Sequence, residues 1–227
     1  MYNPATQQRE MLLIDTEQEV KLGQNMDSQL HQKMKFVTEH YQVQRLQQIG
    51  QRIAQVSDRQ DLTYQFAIVD DKTLNAFAIP GGYVYIHKGL MDAANDDELA
   101  AVIAHEIGHI AARHSVKQIQ AVLGYQLVLS IVTGGRTNSS ALNDALSVVF
   151  ELVNLGYSRK DEFLADKLAV RYTRRAGYSP LGIITLFQKL ESEKKKSPNL
   201  NLVFLSSHPP ITERIARVEE QMRQPLD

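Results

Sequence analysis

Asn95-Asp96-Asp97-Glu98-Leu99-Ala100-Ala101-Val102-Ile103-Ala104-His105-Glu106-Ile107-Gly108-His109-Ile110 is the stretch from which the rest of the chain is best read. Asn95, with Glu98 three residues on, marks a helix start, and the acidic first turn Asp96-Asp97-Glu98 complements the helix dipole. On such a helix His105 and His109, four residues apart, share a face about 6 Å apart along the axis, so both imidazoles can point at one ion. Zinc suits them: neutral imidazole is a good zinc ligand, and a site with three protein ligands leaves a position for a water whose pKa falls to about 7. Glu106, rotated about 100° from His105, is near enough to take a proton from that water without binding the metal. Val102, Ile103, Ile107 and Ile110 make the segment strongly apolar, and burying two histidines and a glutamate there is costly without a partner such as a metal.

The third ligand separates the classes of zinc enzyme. A metzincin requires Gly at 112 and His at 115, where this chain has Ala112 and Ser115, and an unbroken helix points His114 about 140° away from His109. A carboxylate from another helix remains. Glu162, within Asp161-Glu162-Phe163-Leu164-Ala165-Asp166, fits best, and Asp166 lies one turn on along the same face, able to accept the free ring N–H of a ligand histidine. On spacing alone Glu151, Asp166 and His208 stay open as alternatives.

On the N-terminal side, Thr16-Glu17-Gln18-Glu19 fits a capping box, and Leu22, Met26, Leu30 and Met34 recur every four residues, predicting a helix from about Thr16 to Phe36. Val43, Leu46, Ile49, Ile53 and Val56 predict a second. After the polar turn Ser57–Asp61 the period becomes two, with Tyr64, Phe66 and Ile68 on one face of a strand. Leu74–Ile79 and Tyr83–His87 flank Pro80-Gly81-Gly82 and read as a hairpin. On the C-terminal side, Thr133–Ser140 reads as a loop. Helical patterns resume at about Ala141–Leu155, Lys160–Ala176 and Pro180–Glu193, and Pro210 opens a last helix with Ile211, Ile215, Val218 and Met222 on one face. The run Glu191–Lys196 reads as a solvated helix end. The expected fold class is therefore α+β, mostly helical, with a small sheet beside the helix carrying His105.

The chain has 227 residues, a length suited to one domain (1–227) with a core large enough to need no disulfide or structural metal. Its 25 Lys+Arg against 26 Asp+Glu leave no basic excess for tracking phosphates, which argues against nucleic acid as a partner. The absence of cysteine excludes Cys-ligated zinc, iron–sulfur clusters and thiol nucleophiles. No apolar run is long enough to span a membrane. The start, Met1-Tyr2-Asn3-Pro4, lacks the regions of a signal peptide, so the expectation is either no export or a leader already removed.

Three motifs in order, His105-Glu106-x-x-His109, then Tyr157-Ser158-Arg159 leading into Glu162-x-x-Ala165-Asp166, then Ser207-His208-Pro209-Pro210 leading into Arg214-Ile215, resemble the gluzincin metallopeptidase family. That family includes HtpX, the mitochondrial Oma protease, BepA and the CAAX prenyl proteases. The resemblance covers most of the chain and implies a zincin-like fold, one zinc per chain, His105, His109 and Glu162 as ligands, Glu106 as general base and Asp166 behind the ligands. It also implies that His208 faces the zinc and helps stabilise an oxyanion, or in some relatives takes the open metal position. Arg214 would then anchor or tune that segment. Leu74-Asn75-Ala76-Phe77 resembles the strand laid beside substrate, which binds an extended peptide through its main chain. His31, His40 and His87 lie outside these motifs and read as structural or exposed. Unlike HtpX and the prenyl proteases this chain carries no membrane span, and unlike BepA no helical repeat domain, so it looks nearest the soluble or lipid-anchored bacterial members. The expectation is an endopeptidase acting on unfolded or damaged polypeptides in the bacterial periplasm or at the outer membrane, possible anchoring resting on a missing N-terminal leader. The alternative is a zinc-containing peptide-binding or chaperone module with little hydrolysis.

Overall fold

The structure, a computed structural model, describes residues 2–122, 156–196, 208 and 211–224. The loop expected at 133–140, the helix expected at 141–155 with Glu151, and Pro210 lie outside the described residues.

A two-stranded antiparallel ladder, β1 (Tyr2–Asn3) with β2 (Gln8–Arg9), precedes α1 (Thr16–Lys33). The box that caps α1 is one residue earlier than the sequence implied. Asp15 accepts from the Gln18 N–H while the Gln18 side chain reaches back to the Asp15 backbone. That shift turns Glu19 inward, 3.2 Å from Arg59 and 3.4 Å from Arg113, and frees Thr16 to bond Asp61. The helix also stops short of Phe36. Residues 35–37 run beside the sheet instead, Val37 N–H donating to Ile68 O and Asp70 N–H to Lys35 O, because those pairings satisfy the backbone in place of another helical turn.

Helix α2 (His40–Ala54) buries Leu46, Ile49 and Ile53, the face its spacing predicts. Strands β3 (Gln65–Val69), β4 (Ala76–Ile79) and β5 (Tyr83–His87) form one sheet in the order β3-β5-β4. The expected hairpin is β4-β5, antiparallel, with Gly81 and Gly82 both at positive φ in its turn, a conformation that costs glycine least. Strand β3 runs parallel to β5, so β4 is an edge. A short helix, α3 (Lys88–Ala93), follows β5 without a clear sequence pattern.

Helix α4 (Asp96–Ala111) begins with the Asn95–Glu98 capping box, and every residue from Leu99 to Ala111 is buried. Such a helix is apolar all round because neighbours surround it. Here they are α2, β4, β5 and two later helices, α5 (Arg159–Arg175) and α6 (Gly182–Lys196); a last helix, α7 (Ile211–Arg223), packs on α5 and α6. The most extensive of these contacts joins α4 to α5. Gly108 permits it: a Cβ there would lie 3.1 Å from Ala165 O and 3.2 Å from Ala165 Cα. This close approach sets the histidines of α4 against the carboxylates of α5. The α+β, predominantly helical architecture is the one expected, and no helix among the described residues is long and apolar enough to cross a membrane.

Candidate metal centre

His105, His109, Glu162 and His208 each offer one ligand atom, and those atoms all lie within 4.8 Å of one another. The two Nε2 atoms of His105 and His109 are 3.0 Å apart, and they lie 3.5 and 3.4 Å from the Oε2 and Oε1 atoms of Glu162. Zinc–ligand bonds of about 2.0–2.1 Å put the corners of a tetrahedron about 3.3 Å apart, so this spacing fits a zinc ion. Nδ1 of His208 is 3.4 Å from His105 Nε2 and 2.8 Å from Glu162 Oε1, close enough to be a fourth donor. Asp166 lies behind the cluster, on the other nitrogen of His105, whereas Glu162 and His208 stand among the donors; Glu151 lies outside the described residues.

The surrounding charges supply a second test of fit. Arg214 is wholly buried and donates from Nε and Nη2 to the two oxygens of Asp166, each at 2.7 Å, and from Nη1 to His208 O at 2.7 Å. The same Nη1 is 3.0 Å from Glu162 Oε2, and the guanidinium lies over the Phe187 ring. Asp166 Oδ1 is 3.0 Å from His105 Nδ1, so that ring can donate to it while Nε2 faces the other donors. Three buried carboxylates, Glu106, Glu162 and Asp166, thus face one buried guanidinium. The shortfall of two positive charges is the charge of one divalent cation.

The same charges and the same burial shift the pKa values of the cluster. Burial disfavours a charged His105, but hydrogen bonds to Asp166 and Glu162 outweigh it and raise its pKa to about 9. Burial, aided by the neighbouring charge on His105, drops His109 to about 3 despite Glu162. Burial also raises Glu106, whose Oε1 has no hydrogen-bond partner among the described residues. Glu162 and Asp166 resist the same effect: His208, His105 and His109 hold the first well below the ordinary carboxylate range, and Arg214 and His105 lower the second. A zinc ion held by His105 Nε2 would take the place of a proton there.

Of the residues singled out in the sequence, His105, His109, Glu106, Glu162, Asp166, His208 and Arg214 form this one buried cluster. Asn75, Ala76 and Phe77 stand at the start of the edge strand β4, which packs on α4. Asn75 O accepts from His87 N–H, Asn75 Oδ1 is buried without a hydrogen-bond partner among the described residues, and Phe77 stacks on Tyr85. His31 and His40 are exposed, and His87 is buried beside Thr73 and Asp71.

One expectation is overturned. His114 does not point away from His109: its Nδ1 lies 2.9 Å from His109 Nδ1. The cause is Arg113, whose φ of 57° breaks the helix after α4 and swings the next residue back before helical structure resumes at 114–122. A pattern search cannot find this, because an arginine carries no mark of a left-handed conformation. Tyr157, quoted in the second motif without a role, stacks on His109 at 4.0 Å between ring centres.

Residues 40–222 match the model of peptidase family M48. The mitochondrial metalloendopeptidase OMA1 of Schizosaccharomyces pombe is 32% identical over 170 residues, 74% of this chain and 50% of its own length. Metalloprotease LoiP of Escherichia coli is 31% identical over 180 residues, 78% of this chain and 69% of its own length. The beta-barrel assembly-enhancing protease of the same organism is 23% identical over 219 residues, 91% of this chain and 44% of its own length. The chain thus spans about half the length of the first and the last of these relatives, and its two thirds and more of match to the family model settle the identification: the chain belongs to peptidase family M48.

Proposed function

We propose that this chain is a zinc-dependent endopeptidase, one zinc per chain, that hydrolyses peptide bonds of unfolded or damaged proteins. The observation that carries the reading is the buried set of four metal donors with Glu106 beside it, on a chain of the M48 family. In this reading His105, His109 and Glu162 would hold the ion, which would supply a Lewis acid and a water of lowered pKa. Glu106 would accept a proton from the attacking water and pass it to the amine nitrogen as the peptide C–N bond breaks. His208 helps hold the oxygen that becomes negative. Asp166 fixes the His105 tautomer, and Arg214 ties Asp166, Glu162 and the His208 backbone together. Asn75, Ala76 and Phe77 present the main chain of the edge strand to an extended substrate, which needs little sequence preference.

We further infer that residues 1–227 act as one catalytic unit in the bacterial periplasm or at the outer membrane. The N-terminal segment supports the first part, Glu10 pairing with Lys117 at 2.7 Å, and the relatives from Escherichia coli support the second. The test is Glu106→Gln, which is expected to retain zinc and lose casein cleavage; a variant that cuts as fast as the parent refutes the mechanism.

The alternative, a zinc-containing peptide-binding or chaperone module with little hydrolysis, would need His208 Nδ1, which sits among the metal donors, to close the coordination of the ion. Chelator-sensitive casein cleavage by the parent or by His208→Ala supports the peptidase. Silence of both on several unfolded substrates supports the binding module.

A further inference from the structure

We propose that His114 is a positioning residue for the metal centre, the acceptor that holds His109 in the tautomer whose Nε2 can bind zinc. The inference rests on the peptidase reading only in taking His109 as a ligand. His109 has two ring nitrogens, and Nε2 faces His105 and Glu162 while Nδ1 faces His114 Nδ1 at 2.9 Å. Two nitrogens at that distance share one proton. If it sits on His109 Nδ1, then His109 Nε2 keeps its lone pair for a metal and His114 Nδ1 is the acceptor.

His114 must then carry its own proton on Nε2, and the structure supplies a carboxylate there. Asp161 Oδ1 is 3.4 Å from His114 Nε2, and Ser158 Oγ donates to Asp161 Oδ2 at 2.6 Å. Ser158 is also the cap of α5, accepting from the Asp161 N–H, so the far end of this chain of contacts is fixed to the helix that carries Glu162. One helix thereby reaches the metal centre twice, directly through Glu162 and indirectly through Asp161, His114 and His109. Tyr157 restricts the His109 ring from its face, stacked at 4.0 Å and 23°, while its hydroxyl pairs with Ser115 at 2.7 Å. His105 receives the equivalent support from Asp166. His114 gives the second histidine what Asp166 gives the first, with a neutral ring in place of a carboxylate.

The positive φ of Arg113 is part of the device. A non-glycine residue in that region is uncommon and persists where surroundings hold it. Arg113 is held by Nη2 donating to Thr16 Oγ1 at 2.8 Å and by Nε 3.4 Å from Glu19 Oε2.

The test is zinc affinity, measured by competition with a chelator of known strength, for the parent, His114→Phe and His114→Asn. Phenylalanine keeps the ring without its nitrogens, and asparagine places an accepting oxygen where Nδ1 stood. His114→Phe is expected to bind zinc about 10–100-fold more weakly and His114→Asn to recover most of the loss. Unfolding of the metal-free proteins in chelator should stay alike between the two variants, which a purely structural role would not combine with a tenfold difference in affinity. Should the phenylalanine variant not fold, His114→Leu takes its place with the same expectation. A parent that binds zinc beside a His114→Phe within about threefold of it, or a His114→Asn as weak as His114→Phe, overturns the inference alone. A parent that binds no zinc overturns the metal reading and this inference with it.

Discussion

Replacing Arg214 by methionine removes the only guanidinium that touches both Asp166 and Glu162 among the described residues. Four contacts to oxygen go with it: two 2.7 Å hydrogen bonds to Asp166, one to His208 O, and the 3.0 Å approach to Glu162. Added singly, charge-assisted bonds of about 1.5–3 kcal/mol each overshoot, because Asp166 keeps His105 Nδ1 and the remaining groups relax. Breaking a buried pair by removing one partner costs about 3–5 kcal/mol, and methionine fills the space without supplying a donor. In a chain of this size that corresponds to roughly 6–20 °C in the unfolding midpoint. The assay is thermal unfolding in chelator, so that zinc affinity does not enter. Arg214→Lys is expected to fall between, restoring charge without the two-pronged geometry that meets Asp166. A methionine variant within about 2 °C of the parent refutes the charge balance drawn for this site.

Other perturbations probe the same account elsewhere. Gly108→Val forces side-chain atoms against the Ala165 backbone, so it should cost about 1–3 kcal/mol and lower zinc affinity by moving α4 from α5; unchanged affinity in a folded variant contradicts the role given to that contact. Zinc at a hundred times its dissociation constant should raise stability by about 2.7 kcal/mol, and Glu162→Gln should reduce that increment at fixed zinc concentration. Asp61 is expected to contribute pH-dependent stability. Burial opposes its charge, but Arg59 and Thr16 outweigh burial and lower its pKa, so its contribution is complete above the ordinary value of about 3.9 and disappears as pH falls through the lowered one. Urea midpoints of parent and Asp61→Asn should therefore differ by a constant amount between about pH 5 and 7 and converge below about pH 4; a gap that widens on acidification contradicts the assignment.

Local chemistry explains what could be read in the sequence and what could not. The start of α4 was legible because Asn95 and Glu98 satisfy each other's backbone within one turn, and the two metal-facing histidines because helical spacing alone puts them on one side. The β4-β5 turn was legible because Gly81 and Gly82 occupy conformations other residues avoid. Glu162 was only one of four carboxylate or imidazole choices until α4 and α5 were seen to touch at Gly108, a matter of tertiary packing. The parallel pairing of β3 with β5, the inward turn of Glu19 and the return of His114 to His109 are likewise decided by partners distant in sequence or by a single backbone angle. The projection that sent His114 away assumed a continuous helix, and Arg113 interrupts it.

The claim beneath all of this is that one divalent cation is held jointly by α4 and α5. X-ray absorption at the zinc edge, on protein whose metal content has first been measured, tests it most directly. The account predicts one zinc per chain with two or three imidazole nitrogens and a carboxylate oxygen at about 2.0–2.1 Å, the carboxylate contribution lost in Glu162→Gln. Protein that purifies and reconstitutes without zinc, or a coordination shell indifferent to Glu162→Gln, would contradict it.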